Sequence, residues 1–211
     1  MNLREALKLY VIPDSRIGAP RSIEEQAELA LDGGATMIQL RDKKMSGREL
    51  YETACRLSAL CRSRGAAFVV NDRFDIALAA GAHGVHLGQE DLPVSVVRRI
   101  VPAGFLVGAT AHSTEEGRLA EEQGADYVGI GAAFPTGTKT VASVIGVGGV
   151  RAIREALSLP SVAIGGISEE NAAEVLSAGV DGIAVVSSVV GRPDIAGAAR
   201  RLAEKVFSGK P

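Results

Sequence analysis

Residues 105–131 read FLVGATAHSTEEGRLAEEQGADYVGIG. The stretch opens on an apolar run, FLVGA (105–109), and turns through the polar TAHS (110–113). A helix-compatible segment follows and stops at Gly124, and the chain then enters a second apolar run, YVGIG (127–131). A short apolar run bounded by turn residues fits a strand buried on both faces, and glycine is the favoured residue just past a helix. Two such strands joined by a helical crossover form a parallel pair covered by helix.

The same unit recurs along the chain. Strands are predicted at LKLYVI (7–12), TMIQL (36–40), AFVV (67–70), GVHL (84–87), SVAIG (161–165) and GIAVV (182–186) as well. Helices fall between them, for example over SIEEQAELALDGG (22–34) and GRELYETACRLSALCRSRG (47–65). In the second, Leu50, Leu57 and Leu60 recur at helical spacing, while Arg48, Glu49, Arg56 and Arg62 supply the wet side. Gly34, Gly65, Gly81, Gly124 and Gly179 stand where helices should end. Eight strand–helix units in 211 residues predict an α/β fold, a (β/α)8 TIM barrel forming one domain over residues 1–211. An open doubly wound sheet would place G-x-G-x-x-G after the first strand, and IPDSRIGAP (12–20) has no such pattern.

With 46% hydrophobic residues the chain can bury a sizeable core, and a net charge of −2 gives no general attraction to nucleic acid or anionic membrane. Cys55 and Cys61, on one predicted helix, sit roughly 9 Å apart along its axis on different faces, so free thiols are expected. MNLREALKLYVIPD (1–14) lacks a signal-peptide core and no apolar run reaches spanning length. A soluble, cytoplasmic protein is expected, with oligomeric state left open.

Barrel enzymes carry their chemistry at the C-terminal ends of the strands. Those ends here read QLRDKK (39–44), NDR (71–73), GQED (88–91), TAHS (110–113), GIGAAFPTGTKT (129–140), GGIS (165–168) and SS (187–188). Asp72 and Asp91 follow neighbouring strands, which lie roughly 4.8 Å apart, so their carboxylates can share one hard cation such as Mg²⁺. Each could instead cap the helix that follows it. Arg41 and Lys43, two apart beyond strand 2, form a cationic edge or a merely solvated charge run. GIGAAFPTGTKT nearly spells the P-loop pattern, but Thr138 separates Gly137 from Lys139 and the loop follows strand 6. Its glycines, hydroxyls and lysine still suit an anion. Gly165 and Gly166, with Ser168 as a helix cap and Ser187 and Ser188 alongside, offer a second phosphate site. His112 could act in acid–base chemistry or be structural; His86 is expected to pack inside the barrel and His83 to sit in a turn. Transfer of a group from a diphosphate to a phosphate-bearing acceptor is the reaction class this roster favours.

QLRDK, VVNDR, GVHLGQED, ADYVGIGAAFPTGTK, VAIGGI and AVVSS, in this order and spacing, closely resemble the thiamine-phosphate synthase family. The resemblance runs from strand 2 to strand 8. It implies a (β/α)8 barrel that joins 4-amino-5-hydroxymethyl-2-methylpyrimidine diphosphate to a thiazole phosphate, releasing pyrophosphate by a dissociative substitution. It implies that Gln39, Arg41, Lys43 and Asn71 face the pyrimidine diphosphate and that Asp72 and Asp91 hold Mg²⁺. Thr136, Thr138 and Lys139 complete the diphosphate site and Thr110 also binds substrate, Thr110 and Lys139 acting in catalysis, while Gly166, Val186 and Ser187 meet the thiazole phosphate. Thr110 replaces the family's usual serine and keeps its hydroxyl. TVASVIGVGG (140–149) lacks the acidic residue and proline expected after Lys139. A thiazole tautomerase on the same barrel, using His112, and a non-catalytic phosphate-binding barrel are the alternatives. Neither accounts as well for Asp72, Asp91, Lys43 and Lys139 together.

Overall fold

The structure is a computed structural model that describes residues 2–137 and 144–208. Eight parallel strands close on one another in chain order: β1 (Leu9–Val11), β2 (Met37–Leu40), β3 (Ala67–Asn71), β4 (Gly84–Leu87), β5 (Leu106–Ala111), β6 (Tyr127–Gly131), β7 (Ser161–Ile164) and β8 (Gly182–Val185). Pairing of Tyr10 with Ala184 and of Tyr10 with Met37 joins β1 to both β8 and β2, so the sheet has no edge. The expected barrel is formed and the open doubly wound alternative is excluded.

The crossovers are α2 (Ile23–Asp32), α3 (Gly47–Ser63), α4 (Phe74–Ala79), α5 (Val94–Ile100), α6 (Thr114–Glu122), α7 (Gly146–Glu155) and α8 (Ala172–Leu176), and α10 (Ile195–Ser208) follows β8. Ser22 with Glu25 starts α2, and Ser46 with Glu49 starts α3, each through a reciprocal capping box that satisfies otherwise orphaned N–H groups. All five predicted terminating glycines have left-handed backbone, with φ from 64° at Gly81 to 98° at Gly34. Two helical turns were not foreseen. α1 (Leu3–Ala6) precedes the barrel, and its C-cap Leu7 had been assigned to strand 1; α9 (Ser187–Val190) follows β8 directly.

Side chains alternate across every strand. Leu9, Val11, Ile38, Leu40, Phe68 and Val70 point outward into the layer beneath the helices. Tyr10, Met37, Val69, Tyr127, Val162 and Ala184 point inward, and Ala6 and Leu7 join them to close the N-terminal end of the barrel. β3 and β5 run further than predicted, so Asn71 and Thr110 belong to strands rather than to the loops after them. Among the described residues no helix is long and apolar enough to cross a membrane.

Candidate active site

A cavity of about 150 Å³ opens at the C-terminal ends of the strands. Of the predicted residues, Gln39, Arg41, Asn71 and Thr110 line one side of it, and Thr136, Gly166, Val186 and Ser187 the other. Between them lie apolar side chains, among them Ile12, Val162 and Ile164.

The charged side is built from the loops after β2, β3 and β4. Asp42 organises the first of these: its Oδ1 accepts from the N–H groups of Lys44 and Met45 at 2.7 and 3.1 Å. Its Oδ2 accepts from Ser15 Oγ at 2.7 Å, tying this loop to the one after β1. Burial pushes the Asp42 carboxyl up, but the Ser15 hydroxyl and the two backbone donors outweigh it and hold the group below its ordinary value. An anionic Asp42 is thus consumed in shaping the turn, which leaves Arg41 on the cavity wall and carries Lys43 Nζ to 3.6 Å from Asp72 Oδ2.

Neither aspartate is a side-chain helix cap. The position before α4 belongs to Arg73 and that before α5 to Pro93, and neither makes a side-chain cap bond. Asp72 has φ 61°, the only left-handed non-glycine residue among those described. Such a backbone costs roughly 1 kcal/mol or more and is retained where a side chain must be aimed. Asp91 is fixed by the Gly88 N–H, which donates to its Oδ2 at 2.7 Å. Burial, then hydrogen bonding and like-charge contact with the Asp91 carboxyl, push Asp72 up to about 6 against the pull of Lys43 and Arg41. Two carboxyl groups therefore converge, and the described residues contain no cluster of three or more His, Cys, Asp or Glu side chains that could enclose a metal by themselves. Two carboxylates suit an ion such as Mg²⁺, whose other positions go to water and phosphate oxygens.

The opposite side is built from backbone. Gly165 and Gly166 have φ 98° and 65°. A Cβ on Gly165 would stand 2.6 Å from Ala132 Cβ, and one on Gly166 would stand 2.5 Å from Pro135 O. The loop after β7 is thus packed directly onto the loop after β6, an approach that only glycine permits. Asn171 Nδ2 donates to Gly166 O at 3.0 Å and holds it there. Ser168 does not cap α8 as expected. That helix starts later, from Asn171, and Ser168 Oγ instead accepts from Glu170 N within the turn. Ser187 opens α9 at the cavity, whereas Ser188 Oγ is buried without a hydrogen-bond partner among the described residues. Thr138 and Lys139 lie outside the described residues.

His112 lines the cavity with its Nδ1 3.0 Å from Glu116 Oε2, so it is held by a carboxylate from the first turn of α6, the helix that follows it. His83 Nδ1 accepts from Phe68 N at 3.1 Å below β4, the structural role expected of a turn residue. Cys55 and Cys61 are both free, as expected.

Beneath the cavity three residues associate in a way the sequence does not show: Tyr10 and His86 line it, and Tyr127 is buried beneath them. Tyr10 and Tyr127 are expected only as strand residues, and His86 packs inside the barrel as expected, but their contacts with one another are new. Tyr10 Oη lies 3.2 Å from Tyr127 Oη, and Tyr127 Oη lies 3.1 Å from His86 Nδ1. His86 Nε2 lies 3.0 Å from Thr110 Oγ1, and Gln39 Nε2 donates to Tyr10 Oη. The signal that could have found them is glycine inside strands. A Cβ on Gly108 would fall 2.2 Å from Tyr127 Cζ, and one on Gly129 would fall 3.2 Å from His86 Cε1.

Comparison with known proteins agrees with this geometry. Residues 9–189 match the family model described as thiamine monophosphate synthase. A thiamine-phosphate synthase of Coprothermobacter proteolyticus is 50% identical over 204 residues, covering 97% of both chains. One from Methanoculleus marisnigri is 49% identical over 203 residues, covering 96% of each. The solved structure of a thiamine phosphate pyrophosphorylase from Pyrococcus furiosus superposes with a TM-score of 0.92 at 48% identity, covering 98% of both chains. With a model match over most of its length and relatives near half identity along nearly all of it, the chain belongs to the thiamine-phosphate synthase family.

Proposed function

We propose that the thiamine-phosphate synthase reaction of this chain is divided between the two sides of the cavity. Arg41, Lys43, Asp72 and Asp91 take the diphosphate of the pyrimidine substrate, with Thr136, Thr138 and Lys139 delivered from the loop after β6. Gln39, Asn71 and Thr110 meet the pyrimidine ring. Gly166, Val186 and Ser187 receive the thiazole phosphate. The observation that carries this reading is one cavity lined by Arg41 and Asn71, beside the loops after β3 and β4 that carry the converging Asp72 and Asp91 carboxyls, and by a double-glycine turn.

The bond that breaks joins the pyrimidine methylene carbon to the diphosphate oxygen, and its electron pair leaves with pyrophosphate. The bond that forms uses the lone pair of the thiazole nitrogen, so no proton has to be removed. Cations near the departing oxygens stabilise charge where it develops; each contact near 4 Å is worth about 4 kcal/mol at an effective dielectric of about 20. Asp72 and Asp91 would hold Mg²⁺, which when bound supplies further charge neutralisation for the leaving group. Ile12, Val162 and Ile164 line the cavity between its two sides with apolar surface and exclude water, which would otherwise capture an electron-deficient methylene. The 4-amino group of the pyrimidine supports that positive carbon, so the substitution is dissociative.

Incubating the protein with both substrates and Mg²⁺ should give thiamine phosphate and pyrophosphate in equal amounts. Binding of both substrates with no pyrophosphate released would sink the assignment of roles. A pyrimidine whose methyl group is replaced by CF₃ should slow the chemical step by orders of magnitude; an unslowed step excludes the dissociative route.

A further inference from the structure

Across the floor of the cavity, five side chains from five strands form one unbroken file of hydrogen bonds: Gln39, Tyr10, Tyr127, His86 and Thr110. The barrel gives up side-chain volume to accommodate it, since Gly108 and Gly129 leave the spaces that the Tyr127 and His86 rings fill. Tyr10 and Tyr127 are 1% and 0% exposed. A buried hydroxyl hydrogen must find an acceptor, because leaving it unsatisfied costs about 1–3 kcal/mol.

That requirement gives the file a direction. With the Gln39 amide nitrogen set toward Tyr10 Oη, the single hydrogen of Tyr10 goes to Tyr127, its other neighbour in the file. The hydrogen of Tyr127 then goes to His86 Nδ1, which leaves the imidazole hydrogen on Nε2, facing Thr110 Oγ1. Thr110 accepts it and keeps its own hydrogen for the cavity. Burial pushes both phenols above the usual tyrosine range, so neither loses the hydrogen that carries the direction.

We propose that Tyr10, Tyr127 and His86 are positioning residues that lock this direction. In consequence, Gln39 presents its carbonyl oxygen as an acceptor to the cavity while Thr110 presents a donor. The proposal rests on the pyrimidine reading given above. An aminopyrimidine offers the matching pair, amine hydrogens and a ring-nitrogen lone pair. A 4-oxo pyrimidine reverses the pattern, and to accept it the whole file would have to turn over together. Selectivity for the amine is therefore a property of the file rather than of either end.

Two measurements test this. In histidine-¹⁵N-labelled protein without substrate, the two-bond ¹H–¹⁵N pattern of His86, assigned through a His86→Asn variant, should be that of the neutral Nε2–H tautomer. The Nδ1–H tautomer would overturn the proposal. Next, the 4-amino and 4-oxo pyrimidine methyl monophosphates, which carry no diphosphate to lose, are compared by calorimetry. The unsubstituted protein should prefer the 4-amino compound by about tenfold or more. Tyr127→Phe keeps the ring and breaks the file, so the preference should fall severalfold, mainly through tighter binding of the 4-oxo compound. Tyr10→Phe should do the same and serves where Tyr127→Phe does not fold. An unchanged preference in the folded variants refutes the lock. Failure of the unsubstituted protein to form thiamine phosphate would instead count against the functional reading, which the tautomer measurement does not depend on.

Discussion

In the proposed reading, the two sides of the cavity mouth serve phosphate groups by opposite means. The β2–β4 side uses charge: Arg41, Lys43 and two carboxylates whose burial and mutual approach carry an energetic cost that shows in the raised Asp72. The β7–β8 side uses shape: two left-handed glycines that bring backbone where no side chain would fit. Charge concentrates force on a group whose charge changes during the reaction. Shape suits a phosphate that is only carried along. The chemically active end should therefore be sensitive to removal of charged atoms, and the passive end to addition of any atom.

The largest effect expected of this contrast is at Asp91. Asp91→Ala should lower kcat by about 10²–10³-fold with little change in KM for the thiazole phosphate. A loss confined to the thiazole KM would break the contrast. Gly166→Ala should act the other way. The added methyl meets Pro135 O and Phe134 Cβ at 2.5 and 2.8 Å on a backbone of φ 65°. Stability should fall by about 1–3 kcal/mol, with the thiazole KM raised more than the pyrimidine KM. Urea denaturation and steady-state kinetics check both.

A third prediction concerns the cost on the charged side. Asp72→Asn should lower activity in the presence of Mg²⁺, yet in chelator-treated protein it should raise stability near neutral pH by about 1–3 kcal/mol. The sign follows from the raised folded value of about 6: between about pH 4 and 6 the folded state holds a proton that the unfolded state has lost. Stability of the unsubstituted protein therefore falls as pH rises through that window, and the variant should lack that fall. A variant less stable than its parent at pH 7.5 would show that burial and the Asp91 neighbour do not destabilise the Asp72 anion. The smallest effect lies away from the mouth. Burial pushes the Cys61 thiol up to about 12, so a thiol reagent at pH 8 should label Cys55 and leave Cys61 intact until unfolding.

How much of this was legible in the sequence depends on which layer a residue serves. Leu50, Leu57, Val70 and Val128 announce themselves because the strand–helix layer is apolar on every strand, and apolar runs between glycines are readable one unit at a time. Arg41, Asn71, Asp72, Asp91 and Gly166 could be proposed because the fold fixes which end of each strand carries chemistry. Tyr10, Tyr127 and His86 were not, because their meaning lies in one another. A tyrosine in a strand is ordinary, and only closure of the barrel sets β1 and β6 face to face across its interior. Asp42 was hidden for a different reason. Amid RDKK it looks like one more surface charge, and its work is done toward Ser15 and its own turn. Ser168 misled because a serine before a helical pattern is a good cap, whereas here the chain makes an extra turn before α8 begins.

The short helix α1 has a consequence for traffic. With Leu7 fully buried and Ala6 beside it in the barrel interior, the end opposite the cavity is corked. Substrates and products then share a single doorway. Two molecules must enter through it and two must leave, and in the proposed reading pyrophosphate held by the charged side stands in the path of whatever is bound more deeply. Turnover in such a vestibule is a queue, and its pace is set by whichever departing molecule stands nearest the door.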